Sequence, residues 1–239
     1  MPIVGNEPDI ADIVFEGGDR KVVAICILAA AGCANHQQNG SADAPGGSST
    51  DTQIGNTPFS AETRFAAGQM AETQGNPRAA IVQYQEALKL NPNHLGALYR
   101  LGVVYAQMKQ FQPAVAAWEQ YVEATGQAAT AFADLGFCEE LAGFPDKAEY
   151  AYMAGIAQDP KCVPCRVNYG LMLARKGQIN QAIAQWRFVL SEAEIHYNLG
   201  GIYASQGRKE QAKLEFNEAM KLDPKLTDAK ARVAALDKE

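Results

Sequence analysis

Basic charge is scarce in this sequence: 21 Lys and Arg stand against 27 Asp and Glu, a net charge of −6 over 239 residues. Nucleic-acid binding draws its affinity from Lys and Arg neutralising phosphates, so that class is excluded. Cysteine is scarce too. Five are too few for a disulfide-built miniprotein, and they are scattered: Cys26, Cys33, Cys138 and a close pair, Cys162 and Cys165. The three histidines, His36, His94 and His196, have no Cys, Ser or carboxylate partner at a recognisable catalytic spacing. No glycine-rich phosphate loop occurs, because Gly200-Gly201 falls inside a helical pattern. Nor is there a membrane span: Val22 to Gly32 is apolar or small but holds only eleven residues, about 16 Å of helix against a ~30 Å hydrocarbon core. No catalytic residue, metal site or cofactor is expected. What is present is a chain 47% hydrophobic and 20% charged, an ordinary globular balance.

The short apolar run has the form of a signal-peptide core, with Arg20-Lys21 before it and Cys33 after it. Leu28-Ala-Ala-Ala-Gly-Cys33 resembles the bacterial lipobox, although Ala30 stands where Leu is commoner. The resemblance implies lipidation at Cys33, and Ala34 rather than Asp after it implies the outer membrane. The first nineteen residues carry five acidic and no basic residue, unlike a signal n-region; a translation start near Val14 would account for this. The alternative is a buried apolar helix of a cytosolic protein. Residues 34–60 are dominated by Gly, Ser, Asn, Asp, Gln and Thr, with only Ile54 and Phe59 large and apolar. They read as a flexible tether spanning about 30 Å.

From residue 61 the chain repeats every 34 residues. Gly68 recurs as Gly102 and Gly136, Ala80 as Ala114 and Ala148, Tyr84 as Trp118 and Tyr152, and Pro92 as Gly126 and Pro160. The frame gives units 61–94, 95–128, 129–162, a shortened 163–192, and 193–226. The fifth, with Leu199-Gly200, Tyr203, Ala212, Phe216, Ala219 and Pro224, carries the pattern almost complete. This period and these residue types resemble the tetratricopeptide repeat. The resemblance implies an all-α, right-handed α-solenoid of five helix pairs, A and B, with residues 227–239 as a capping helix opened by Thr227 as N-cap. Gly at position 8 and Ala at position 20 let the two helices approach, the position-24 aromatic is expected between neighbouring units, and Pro at position 32 ends helix B.

Tetratricopeptide arrays bind peptides or helices of partner proteins in a concave groove lined by helix A positions 2, 5, 9, 12 and 13. Here those positions supply Phe65, Gln69, Tyr99, Val103, Phe137, Leu141, Val167, Leu171 and Tyr197. The groove is expected to be apolar and to take an apolar peptide or amphipathic helix; the alternative is that these aromatics pack within the superhelix. The family's carboxylate clamp is absent. Phe65 and Gln69 stand where it has Lys and Asn, and Thr130 and Asp134 where it has Lys and Arg.

Cys162 and Cys165 straddle the junction of the third and fourth units. The alternatives are a structural disulfide, free thiols at a surface joint, or redox or metal chemistry; zinc ordinarily needs a second such pair, and none exists. The sequence as a whole reads as a non-enzymatic scaffold of the cell envelope. It resembles tetratricopeptide lipoproteins of the type IV pilus pilotin kind or adaptors of peptidoglycan hydrolases. Its partners would be envelope proteins, with membrane contact through the lipid alone. A redox-active periplasmic protein and a cytosolic adaptor are the competing readings.

Overall fold

The computed structural model describes residues 59–237. Cys33, the run before it and nearly all of the tether lie outside the described residues. Those described form an all-helical array with no strand. The helices are α1 (Ala61–Thr73), α2 (Pro77–Leu90), α3 (Leu95–Gln107), α4 (Phe111–Ala124), α5 (Ala129–Leu141), α6 (Pro145–Gln158), α7 (Val163–Arg175), α8 (Ile179–Trp186), α9 (Glu192–Ser205), α10 (Lys209–Leu222) and α11 (Thr227–Leu236). Each odd helix from α1 to α9 pairs with the even helix after it. The A helices α5, α7 and α9 also touch in series.

Two kinds of turn repeat along the chain. At the A–B turn, Gly75, Gly143, Gly177 and Gly207 take positive φ, and Lys109 takes φ 56° at the equivalent place. The left-handed residue lets the last carbonyls of helix A find donors: Gly75 N–H reaches the Glu72 carbonyl and Asn76 N–H the Ala71 carbonyl, both at 2.9 Å. At the B–A turn an Asx side chain folds the loop. The Asp159 carboxylate accepts from Lys161 N–H at 2.8 Å, and Asp223 accepts from Lys225 N–H at 2.9 Å. This turn has fixed length, so it places the helix N-cap at His94, Cys162 and Leu226. Thr227 is therefore the first residue of α11, not its cap. Leu226 instead buries its side chain with Ala229 against α10.

Inside each pair a ring closes on a glycine. Tyr84, Trp118, Tyr152, Trp186 and Phe216 are all 0% exposed. Each lies against the position-8 glycine of its own unit: a Cβ on Gly68, Gly102, Gly136, Gly170 or Gly200 would fall 2.1–2.8 Å from that ring. The ring therefore fills the A–B crevice and, as expected, also meets the next unit: Trp118 clusters with Phe137 and Cys138, and the Tyr152 ring lies 6.3 Å from that of Tyr169. At ~25 cal/mol/Å² over ~150–250 Å², each contributes roughly 4–6 kcal/mol of transfer free energy. The ring's polar atom finds a partner in three of the four units that have one, Trp118 Nε1 being buried without one. Where position 24 is Tyr, position 12 is Glu: Tyr84 O–H donates to Glu72, and Tyr152 O–H donates to Glu140 at 2.8 Å. Where position 24 is Trp or Phe, position 12 is Ala (Ala106, Ala174, Ala204). Trp186 Nε1–H donates to the Val167 carbonyl at 3.1 Å. The glutamates then reach across the joint, Glu72 to Arg100 and Glu140 to Arg175.

The fourth unit lacks the second half of its B helix. The chain leaves α8 at Trp186, turns with Leu190 N–H on the Trp186 carbonyl at 2.7 Å, and restarts at Ser191 in a capping box with Glu194. The ring-on-glycine packing makes a contrast at adjacent residues. Gly200 faces Phe216, whereas a Cβ on Gly201 meets nothing within 4 Å. Gly200→Ala should cost roughly 1–3 kcal/mol by overpacking, and Gly201→Ala should gain about 0.5–1 kcal/mol from helix propensity. Urea unfolding followed by circular dichroism distinguishes the two; equal effects would refute the packing.

Candidate interaction groove

On an A helix, positions 2, 6, 9 and 13 share one face. Solvent reaches this face at Thr130 and Leu141 on α5, at Pro164, Leu171 and Arg175 on α7, and at Glu194, Gly201 and Ser205 on α9. Adjacent A helices carry it from unit to unit as a continuous stripe.

The residues expected to line the groove divide into two sets. Gln69 is exposed, and Phe65, Tyr99, Leu141 and Leu171 are half-buried. Val103, Phe137, Val167 and Tyr197 are buried and present no surface to a ligand. Val103 and Phe137 belong to the cluster around Trp118 and Leu135, and Val167 to the one around Trp186. Tyr197 packs edge-on against Phe216 at 5.4 Å. The expectation of an apolar groove floor is corrected here. Neighbouring helices close over those side chains because each unit must bury apolar surface against the next.

What lies along the stripe at position 6 is polar. In the second unit it is Arg100, held by Glu72. In the next three it is Asp134 (8% exposed), Asn168 (4%) and Asn198 (3%). Asp134 and Asn168 make no side-chain hydrogen bond among the described residues. Asn198 has both Nδ2 and Oδ1 buried without a partner. Buried polar groups are ordinarily satisfied, and each orphan costs roughly 1–3 kcal/mol. Beside Asp134 is an aromatic group from the second unit: Tyr99, Trp118 and Tyr121 meet edge-on with ring centroids 5.2–5.7 Å apart. Tyr99 and Tyr121 are half-buried. The Tyr121 phenol is pushed up by burial and by the nearby Asp134 charge. The family pattern directed attention to positions 5 and 9 and passed over this row. Its signal in the sequence is a polar residue, Asp134, Asn168 and Asn198, at one register of three successive A helices.

Burial pushes the Asp134 carboxyl up to about 7. It does the same to Glu139, at about 7, where Glu119 adds to the rise and Lys147 opposes it. Unfolded, both titrate near 4. Below that pH the two forms of the chain hold the same protons and burial costs nothing. As pH rises through 7 the folded state must ionise buried carboxyls, and stability falls. Asp134→Asn should therefore raise Tm by roughly 3–10 °C at pH 8 and by under about 2 °C at pH 4, with Glu139→Gln shifting in the same sense. Thermal melts across that range check the sign, and an equal gain at both pH values would contradict it.

Cys162 and Cys165 are joined in a disulfide. Cys162 is the N-cap of α7, and both sulfurs are buried with Ala133 between α5, α6 and α7. Cys165 Sγ lies 3.2 Å from the Ala129 carbonyl oxygen. The pair is thus an interior joint, not a surface one. Cys138 is free and buried, its thiol pushed well up by burial first and by Asp134 second, which makes it a poor nucleophile. His94 caps α3 through Nδ1 and packs on Phe65 at 4.8 Å; His196 bonds Glu215 at 2.6 Å. The described residues hold no group of three metal-ligating side chains.

Three segments match family models described as tetratricopeptide or TPR repeats, residues 73–109, 96–124 and 193–226. These repeats are tetratricopeptide repeats. Solved structures show the same fold. A tetratricopeptide protein of Thermus thermophilus, TTC0263, superposes with a TM-score of 0.54 at 22% identity, covering 75% of this chain and 100% of that one. The MamA protein gives 0.57 at 22% identity over 70% of this chain and 94% of its own. YrrB, described as a TPR protein with an unusual peptide-binding site, gives 0.52 at 21% identity over 72% and 91%. Identities this low speak for the tetratricopeptide fold alone. A search of curated proteins finds no match.

Proposed function

We propose that this chain is a non-enzymatic scaffold or assembly factor of the bacterial cell envelope that holds a segment of a partner protein along the stripe of its A helices. The carrying observation is the polar row Asp134, Asn168 and Asn198, the last with both side-chain polar atoms unpartnered, on the same face of the A helices as the half-buried Leu141 and Leu171. A surface that is both incompletely satisfied and partly apolar is completed by a ligand with hydrogen-bonding groups and some apolar area. Tetratricopeptide proteins bind protein or peptide partners, which fits this arrangement. The envelope assignment rests on the sequence: the lipobox-like run ending in Cys33 and the tether after it support a lipid anchor, and Ala34 after the cysteine favours the outer membrane, facing the periplasm. The buried position of the Cys162–Cys165 disulfide favours a structural joint over redox chemistry, because an exchanging disulfide must be reached by a thiolate.

Two measurements on the full chain test this. Labelled palmitate should enter the wild type and vanish in Cys33→Ala; undiminished label in that variant would remove the anchor. A photo-crosslinking residue at Thr130, which is exposed on the stripe, should give discrete partner adducts in cells. Those adducts should be lost when Leu141 and Leu171 are both changed to Asp while helicity is kept. Unchanged adducts in that variant would sink the groove assignment.

A further inference from the structure

The B helices carry a second surface, on the side away from the crevice. Position 22 stands about 200° round the helix from positions 20 and 24, which are buried, so it points outward. Its residues are Val82, Ala116, Tyr150, Ala184 and Leu214, apolar and exposed in all five units. One exposed apolar residue means little, but one register filled five times is a surface. Size alternates along it: large, small, large, small, large. Val82, Tyr150 and Leu214 are 52%, 77% and 68% exposed. One turn further on, position 26 alternates in the opposite phase across the middle of the array. There Ala154 belongs to the third unit, and Phe188, 65% exposed, to the turn after α8. Met153, three residues from Tyr150, is 54% exposed. At ~150–250 Å² for a whole large side chain, these five leave roughly 500–800 Å² open, of the order of the ~800 Å² that each partner contributes to a standard interface.

We infer that this face joins two copies of the chain back to back in a two-fold dimer, the third unit of each copy against the fourth of the other. A two-fold interface uses the same patch twice, so the patch must complement itself. An alternating row does so when the axis runs along the B helices between the third and fourth units. The order of units is then reversed in the facing copy, third meeting fourth and second meeting fifth. Tyr150 faces Ala184, Leu214 faces Ala116, and Phe188 faces Ala154, so each large side chain meets a small one. The charges agree with this pairing. At position 29 Glu123 faces Lys221, and at positions 18, 19, 25 and 26 every charged residue faces a neutral one. No like charges are brought together, which would cost affinity. The stripe of the A helices stays open in both copies, so the dimer presents two grooves and occupies neither.

Sedimentation of the full chain across micromolar concentrations should show a monomer–dimer equilibrium. Tyr150→Asp, at an exposed site, should keep helicity and Tm while weakening the dimer at least tenfold. Leu214→Asp should do the same from another unit. Tyr150→Lys and Ala184→Asp should each weaken the dimer, and the two together should restore it, because each new lysine meets the aspartate of the other copy. A chain that stays monomeric throughout, or a dimer indifferent to both Tyr150→Asp and Leu214→Asp, would overturn the inference. Failure of the Lys–Asp pair to restore association would overturn the pairing of third unit with fourth. In cells, a photo-crosslinking residue at Tyr150 should give an adduct of twice the chain's mass; adducts to other proteins or to lipid alone would make those the occupants and overturn the dimer.

Discussion

A ring laid on a missing Cβ is the contact from which the rest of this array follows. A large aromatic can close the A–B crevice at position 24 only because position 8 presents bare backbone. The closed crevice sets how near the two helices lie, and with it which residues of helix A turn outward. The glutamate at position 12 is a consequence of the same contact. A buried tyrosine needs an acceptor, and the carboxylate that supplies one needs a counter-ion, which the next unit provides as Arg100 or Arg175. One steric vacancy thereby specifies an apolar core, a polar partner and a link to the neighbour.

The stripe of the A helices is built on a different logic. Where the crevices satisfy the hydroxyls of Tyr84 and Tyr152, the stripe leaves Asn198 short of partners. Sites that are incomplete in the free protein yet kept at a cost in stability are the expected mark of function. The apolar residues assigned to the groove from the family pattern proved mostly structural, so the polar row is the more informative feature.

The helix pairs, their boundaries within a residue or two, and the glycine–alanine–aromatic positions could be read from the 34-residue period. That period is a local property, stated five times over. The Glu–Tyr pairing was equally readable, because Glu72, Tyr84, Glu140 and Tyr152 recur at one spacing, though its reason became plain only with the rings in place. The burial of Val103, Phe137, Val167 and Tyr197 could not be read. It depends on how closely one unit approaches the next, a quantity no single repeat encodes. Thr227 misled for a related reason: a threonine before a helical run looks like a cap, but the Asx turn at Asp223 had already fixed the start one residue earlier.

The side-chain bonds that cross between units are unevenly spread. Glu72 with Arg100 and Gln85 with Tyr105 tie the first unit to the second. Glu140 with Arg175, Glu149 with Tyr169 and Lys176, and the buried disulfide tie the third to the fourth. Between the second and third the contacts are apolar and aromatic, and the carboxylates there, Asp134 beside Tyr121 and Glu139 near Glu119, make no ion pair across the joint among the described residues. Mechanically the array is a string of doublets rather than of identical beads. At the joint between the second and third units packing alone takes the place of those bonds.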